Sequence, residues 1–401
     1  MRLAAKRDVA TAPSPSLVNC GIRCCTACDD EASSPLPLRT TIYQLPTINR
    51  KIANLCVICA HLRVLCVKKI HPLPSINYHL PSTIFLNLPM WRIDLVFAII
   101  QHMNFKKICV LMGGVSNERE VSITSGKNVV EALASLGKYE VVPVVLDENS
   151  IESVPDCDAC FLALHGGWGE SGGVQAALDA RRIPYTGPGA AASQIAMDKV
   201  KTKLVLEMKG VPTAKWTLAS HGTESSPLPL PVVVKPPCDG SSVGISKVST
   251  PEKWKPALDA ALAAQGGKGE VMVENFVAGR EMTVAVLDGK PLPVIEICAK
   301  DGWYGYEEKY NSNETLYKFP EDPFLPFVQQ IAVDAYKACG CRGVVRVDFR
   351  IDEKSRPFVL ELNTLPGMTG HSLVPKAAAQ AGIQFPELCE RMLASASFDR
   401  G

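Results

Sequence analysis

Arg346-Val347-Asp348-Phe349 and, after a short hairpin, Glu361-Leu362-Asn363-Thr364-Leu365-Pro366-Gly367-Met368 bring residues of complementary chemistry close together in this 401-residue chain. Both runs are strand-like, so Asp348, Glu361 and Asn363 fall on neighbouring strands, and Arg346, two residues before Asp348, shares its face. Three oxygen ligands beside a guanidinium suit a hard divalent cation holding a polyphosphate. A solvated hairpin face would carry the same residue types.

Other stretches bear on the same chemistry. Pro231 to Pro236 reads as a buried strand ending in Lys235, followed by Asp239-Gly240-Ser241-Ser242-Val243-Gly244. A lysine beside a Gly/Ser loop can grip a polyphosphate from two sides, the loop giving N–H and hydroxyl donors and the ammonium a point charge. The lysine precedes the glycines, unlike the usual P-loop, and a solvated lysine before a flexible hairpin is the plainer alternative. Glu274 and Glu281 flank a hinge between two strands, where acids suit an adenine amino group and ribose hydroxyls; singly, each is more often a surface charge. Glu118-Arg119-Glu120 and His165-Gly166-Gly167-Trp168-Gly169-Glu170 are polar loops following strands, although His165 alone reads as a hydrogen-bonded structural imidazole.

The elements that must position these residues begin at Lys106. Strands are expected at Lys107–Met112, Tyr139–Leu146 and Ala159–Leu164, and helices at Ser122–Leu136 and Gly173–Arg182. This alternation predicts a parallel sheet with ligand-facing loops at the strand C-termini, closing near Gly187-Pro188-Gly189. Next come a helix at Asp198–Met208, the Lys235 strand, a helix at Pro251–Ala264 and strands at Glu270–Asn275 and Met282–Leu287. Ala299–Phe319 is a long irregular stretch with Trp303, Tyr304, Tyr306 and Tyr310, a length and composition that suit a functional loop, often a lid. A helix at Pro323–Ala338, the opening hairpin, and helices at Ser372–Ala381 and Pro386–Ala394 complete the chain.

Composition narrows the function classes. Net charge is +1, from 42 basic and 41 acidic residues, so no global field points to nucleic acid or an anionic membrane. No window holds the ~18 consecutive apolar residues of a membrane span. The 15 cysteines are scattered through a long chain and read as mostly reduced cytosolic thiols. Cys109, Cys157, Cys160, Cys238, Cys298, Cys339, Cys341 and Cys389 lie in or beside apolar runs, where a small buried hydrophobe is the default. Residues 1–104 are rich in Pro, Ser and Cys and show no sustained periodicity. They read either as a targeting extension or, preferentially, as upstream sequence preceding an initiator at Met103. Cys25-x-x-Cys28 and Cys56-x-x-Cys59 have zinc-ribbon spacing within each pair, but the gap between pairs is longer than such sites use.

Taken in order, the motifs resemble the D-alanine:D-alanine ligases of the ATP-grasp superfamily, from about Lys106 to the C-terminus. The matching pieces are Gly113-Gly114-x-Ser116-x-Glu118-Arg119-Glu120-Val121-Ser122, His165-Gly166-x-x-Gly169-Glu170, Met197-Asp198-Lys199, Val234-Lys235-Pro236, Gly240-Ser241-Ser242-Val243-Gly244, Glu308-Lys309-Tyr310 and Glu361-x-Asn363-Thr364-x-Pro366-Gly367-Met368-Thr369-x-His371-Ser372. The family usually has Asp-Gly after the residue matching Glu170, where Ser171-Gly172 stands here, and the Pro-rich Ser220–Leu230 suggests a trimmed central subdomain.

The resemblance implies an α/β (α+β) ATP-grasp fold. An N-terminal parallel α/β (preATP-grasp) domain would occupy 105–190, a small central subdomain 191–280, and an antiparallel-sheet catalytic subdomain 281–401 with a lid at 299–319. It implies ATP as cosubstrate, two Mg2+ or Mn2+ ions, a cytoplasmic homodimer, and no nucleic-acid or membrane partner. By this match, ATP phosphorylates one D-alanine and the amine of a second attacks the acyl phosphate. Glu120, with Ser241 and Tyr310, would hold the first ammonium, with His165 nearby. Arg346 and the Gly367 N–H would stabilise the oxyanion, and Ser372 with the Leu373 backbone would bind the second carboxylate. Lys199, Lys235 and Lys309 would meet the phosphates, Glu274 and Glu281 adenine and ribose, and Asp348, Glu361 and Asn363 the metal ions. The Glu-Lys-Tyr pattern ending at Tyr310 implies a dipeptide rather than a D-alanyl-D-lactate product. A change of acceptor on the same fold, and a catalytically silent nucleotide-binding protein, are the competing readings; no metal or oxyanion residue is missing, as the latter would require.

Overall fold

The structure is a computed structural model that describes residues 105–238, 244–298 and 315–399. Expectations for residues 1–104, for Ser241 and its loop, for Lys309 and Tyr310 and for most of the 299–319 stretch lie outside the described residues.

The first layer is a parallel sheet of β1 (Lys107–Gly113), β2 (Glu140–Leu146) and β3 (Ala159–Leu162), in the order β2-β1-β3. Helix α1 (Arg119–Ser135) joins the first two strands. Central β1 is apolar after Lys107 because both its faces are covered: Ile108, Val110 and Met112 enter one core with Val129 and Leu133 of α1, while Cys109 and Leu111 enter another. Gly126 lets α1 lie against the strand, since a Cβ there would meet the Met112 Cβ at 2.6 Å. Helix α1 starts three residues before its expected Ser122, so Arg119 and Glu120 form its first turn instead of a loop. No side chain caps that end. The Arg119 guanidinium anchors it instead, donating to the Gly114 and Leu146 carbonyls at 2.8 and 2.7 Å.

Two short helices were not expected: α2 (Gly167–Glu170), in a stretch read as a loop and ahead of α3 (Gly173–Arg181), and α4 (Ala190–Met197). The expected Asp198–Met208 helix is α5 (Lys199–Met208), where extended Asp198 breaks from α4 and caps α5 by accepting the N–H groups of Val200 and Lys201.

A second, antiparallel sheet runs β4-β7-β5-β6, from β4 (Trp216–Ser220), β5 (Val232–Lys235), β6 (Ser246–Val248) and β7 (Glu270–Asn275). One face is covered by α6 (Trp254–Ala264), whose Trp254, Leu258 and Leu262 pack with Val232, Val234, Val271 and Val273. The Pro-rich Ser220–Leu230 segment forms the short connection between edge strand β4 and central β5.

The third sheet, of six strands, comprises β8 (Arg280–Leu287), β9 (Lys290–Pro291), β10 (Ile295–Cys298), β11 (Leu316–Lys318), β12 (Val344–Ile351) and β13 (Pro357–Asn363). Its main path is β11-β10-β8-β12-β13, with β9 paired to β8, and all the pairings are antiparallel. Strand β11 corrects the irregular reading at the end of the 299–319 stretch: Tyr317 is in register with Ile297, and pairing supplies an order that a three-residue run does not show by itself. Along β12, Val345, Val347 and Phe349 enter the core under α7 (Leu325–Ala338), which leaves Arg346, Asp348 and Arg350 on the opposite face. Helices α8 (Leu373–Gln380) and α9 (Phe385–Ala394) return to the first sheet, where Ala377, Leu388 and Met392 join the core shared with α1.

No disulfide forms among the described cysteines. Cys109, Cys160, Cys339 and Cys389 are buried as expected, but Cys238 is exposed because β5 ends at Lys235 and the chain leaves the sheet before reaching it. Among the described residues, no helix is long and apolar enough to cross a membrane.

Candidate active site

The β12–β13 hairpin sets Asp348 directly opposite Glu361, and Arg346 opposite Asn363. The register shifts just beyond, between Asp348 and Phe349, so the irregularity falls beside the acidic pair. Arg346 grips Asp348 with two donors, Nε to Oδ1 and Nη2 to Oδ2, both at 2.9 Å. Thr283 Oγ1 on β8 donates to Asp348 Oδ1 at 2.6 Å, and Asn363 Nδ2 to Oδ2 at 3.0 Å. Arginine and acid, separable roles in the sequence, are therefore one bonded unit.

Lys199, at the start of α5, places its ammonium 3.5 Å from Glu361. A backbone bond from the Lys199 N–H to the Pro237 carbonyl ties the same helix end to the chain leaving β5. Helix α5 thereby bridges the second and third sheets at the point where Lys199 and Lys235 are presented.

Glu274, near the end of β7, lies between two lysines. Lys203 is 2.7 Å away, and Lys235 forms a second, close ion pair. All three side chains are buried. Burial alone would raise the Glu274 pKa, but the two ammonium groups outweigh it and hold the carboxyl down at about 2. Burial, opposed by Glu274 and reinforced by Lys235, lowers the pKa of Lys203. Lys203 Nζ also donates to Thr213 Oγ1 at 2.6 Å, and Thr213 to the Val359 carbonyl of β13. Lys203 escaped the sequence reading; its one signal is a spacing of four from Lys199, which puts both on one face of α5.

Glu281 pairs with Arg350 at 3.1 Å across β8 and β12. Arg350 also donates to the Val277 and Gly279 carbonyls and so fixes the β7–β8 hinge, a role nothing in the local sequence announces.

At the first sheet, the loops after β1 and β3 line a groove formed by Gly113 to Ser116 and Leu164 to Gly169. Gly113 and Gly114 adopt φ of +88° and +86°, a conformation that favours glycine, which lets the chain turn sharply out of β1. Ser116 Oγ donates to the His165 carbonyl at 2.6 Å and joins the two loops. Glu120 is exposed on the first turn of α1. His165 is buried, with Nδ1 2.9 Å from the Leu365 carbonyl and Nε2 3.1 Å from Ser125 Oγ. Burial lowers its pKa, with a further contribution from Arg346 and opposition from Glu118 and the carbonyl.

Burial raises the Glu170 pKa to about 7, reinforced by Glu118 and opposed by the Gly166 N–H that its Oε2 accepts. A carboxyl whose folded pKa is raised binds its proton more tightly when folded. The associated stability is complete below the ordinary value of 4.5 and is lost as pH rises through about 7. Wild-type protein should therefore lose more melting temperature between about pH 5 and about pH 8 than Glu170→Gln, as melts at the two pH values would measure.

The chain following β13 carries Gly367 to Ser372. Ser372 Oγ accepts the Thr369 N–H at 3.0 Å, and a Cβ on Gly367 would lie 2.7 Å from that oxygen, so the loop closes tightly over Ser372. Ser372 and Leu373 sit at the N-terminus of α8, where unpaired N–H groups favour an anion.

The hairpin donor set fits a hard cation: two carboxylates and an amide supply oxygen and no soft ligand. Among the described residues, no group of three or more His, Cys, Asp or Glu side chains is arranged to hold a metal. An ion at the hairpin would have to complete its shell with phosphate or water oxygens, as magnesium commonly does.

Over 309 residues the chain is 45% identical to a D-alanine--D-alanine ligase of Acidovorax ebreus (strain TPSY), an alignment covering 73% of this chain and 91% of the relative. This chain belongs to the D-Ala-D-Ala ligase family. The family descriptions "D-ala D-ala ligase N-terminus" and "D-ala D-ala ligase C-terminus" match residues 107–151 and 204–394. The D-alanine--D-alanine ligase of Bordetella pertussis is also 45% identical, over 311 residues that cover 96% of its length. Among solved structures of the D-Ala-D-Ala ligase family, the Bacillus anthracis enzyme aligns with a TM-score of 0.65 at 36% identity, covering 72% of this chain and 97% of that one. The same enzyme complexed with ATP aligns with a TM-score of 0.64 at 34% identity. The parallel sheet followed by two antiparallel sheets agrees with the ATP-grasp architecture expected from the motifs.

Proposed function

We propose that this chain joins two D-alanines into D-alanyl-D-alanine, using ATP and releasing ADP and phosphate, to supply peptidoglycan precursor in the cytoplasm. The observation that carries the reading is the gathering of Arg346, Asp348, Glu361 and the Lys199 ammonium at one face of the β12–β13 hairpin. A carboxylate oxygen of the first D-alanine attacks the γ-phosphorus, giving D-alanyl phosphate and ADP. The second amine then attacks the acyl carbon, and the tetrahedral intermediate collapses with loss of phosphate. The chain contributes chiefly position and charge.

Lys199, Lys235 and Lys309 meet the phosphates. Glu274 and Glu281 flank the hinge that takes adenine and ribose; an ion-paired carboxylate oxygen retains a lone pair for an adenine amino group. Glu120, with Ser241 and Tyr310, holds the first ammonium, and His165 lines that subsite. Arg346 and the Gly367 N–H face the developing oxyanion, while Ser372 and the Leu373 N–H receive the second carboxylate. Asp348, Glu361 and Asn363 hold two Mg2+ or Mn2+ ions, which neutralise phosphate charge when bound. In this reading residues 105–190, 191–280 and 281–401 are the N-terminal, central and catalytic units of a homodimer.

Incubation with ATP, Mg2+ and D-alanine should release phosphate and dipeptide in equal amounts. No phosphate release would sink the reading, and a dominant ester product with D-lactate present would replace it with a change of acceptor.

A further inference from the structure

Three side chains from the first sheet's layer hold the loop that presents the Gly367 N–H. The Met368 N–H donates to Ser125 Oγ at 3.1 Å, and Asn128 Nδ2 donates to the Met368 carbonyl at 3.2 Å. Ser125 and Asn128 are three residues apart on α1 and so occupy one helix face. Both polar groups of a single peptide-bonded residue are thereby clamped by a helix 240 or more residues away in the chain.

His165 completes the arrangement on the other side of Gly367. Its Nδ1 faces the Leu365 carbonyl, which can only accept, so Nδ1 carries the proton and Nε2 accepts from the Ser125 hydroxyl. The order of donation is Met368 N–H to Ser125, Ser125 O–H to His165, and His165 N–H to Leu365. Every donor and acceptor in this relay has one role. Ser125 is fully buried, and His165 nearly so. A hydroxyl placed there solely to satisfy α1 would bond within the helix; this one bonds on both sides to other elements.

We propose that Ser125, Asn128 and His165 are positioning residues that fix Leu365 to Met368, and with it the Gly367 N–H, in the geometry that stabilises the tetrahedral intermediate. The inference rests on the reading of Gly367 as an oxyanion donor. A preorganised donor acts at full strength only when aimed at the place where charge develops, and a misplacement of ~1 Å can cost ~100-fold.

The test uses Ser125→Ala and Asn128→Leu in the full chain. Each should lower kcat by about 10- to 100-fold while the KM for ATP stays within about twofold. A phosphinate analogue of the dipeptide, with tetrahedral phosphorus at the acyl position, should lose affinity by a similar factor, whereas ATP affinity measured by thermal shift should not. A purely structural role would lower the melting temperature without this selective loss. Should Ser125→Ala fail to fold, Asn128→Leu, at a half-buried position, carries the test with the same readouts. Unchanged kcat and analogue affinity in folded variants would overturn the clamp while leaving the Gly367 role standing. If wild-type enzyme bound the phosphinate no better than the planar dipeptide, the oxyanion reading and the clamp would both fall.

Discussion

Arg346→Ala should slow dipeptide formation by about 100-fold or more while raising the KM for ATP far less, because removing one oxyanion donor typically costs ~100- to 1,000-fold in kcat. The bidentate bond to Asp348 adds a second expectation: some of the loss will come from a carboxylate no longer held on its strand face. Arg346→Lys separates the contributions. A lysine keeps the charge but cannot reproduce two parallel bonds, so it should recover only a small part of the rate. Glu361→Gln is the contrast, since it alters the residue facing Lys199 and the hard-cation donor set. It should raise the KM for ATP and the Mg2+ concentration required before it lowers the saturated rate. Steady-state kinetics with ATP, Mg2+ and D-alanine varied in turn would separate the two. Identical profiles for Arg346→Ala and Glu361→Gln would show that the hairpin does not divide its work between the half-reactions.

Glu274→Gln should destabilise the protein more than any exposed charge reversal. The triad of Lys203, Lys235 and Glu274 carries one surplus positive charge, and removing the carboxylate strands two buried ammonium groups. Breaking a buried pair in this way costs about 3–5 kcal/mol, or roughly 10 °C in melting temperature for a chain of this size. Lys203→Met should cost much less, because the neutral Lys235–Glu274 pair survives. The surplus charge also suits an anionic ligand: ATP should stabilise wild-type protein but offer little rescue to Glu274→Gln if the displaced Lys235 no longer reaches the phosphates. The pH dependence has a definite sign. A carboxyl depressed to about 2 contributes stability that is complete above its ordinary 4.5 and is lost as pH falls through about 2. Wild type should therefore lose more stability than Glu274→Gln on acidification below about pH 4.5, as denaturant unfolding across that range would reveal.

The sequence was most legible where a local pattern had one physical outcome. The continuous apolar run of β1, the alternation along β12 and the helix expected from Asp198 to Met208 each follow from burial or hydrogen bonding of neighbouring residues. Strands such as β10 and β11 were illegible because their order comes from pairing with each other and with β8, which no short run encodes. The early start of α1 has the same cause: Arg119 is held by the end of β2 rather than by a cap in its own segment.

For the candidate site, residue types and two-residue spacing alone put Asp348, Glu361 and Asn363 on adjacent strands with Arg346 on the same face, because side chains alternate along a strand whatever surrounds it. Tertiary structure decided their partners. It bound Arg346 to Asp348 and brought Lys199 from α5 to Glu361. It enclosed Glu274 between two lysines and set Ser125 and Asn128 against a loop more than two hundred residues distant. These contacts depend on how whole elements pack. Sequence reports the chemistry a residue carries, while packing determines which charge or donor it meets.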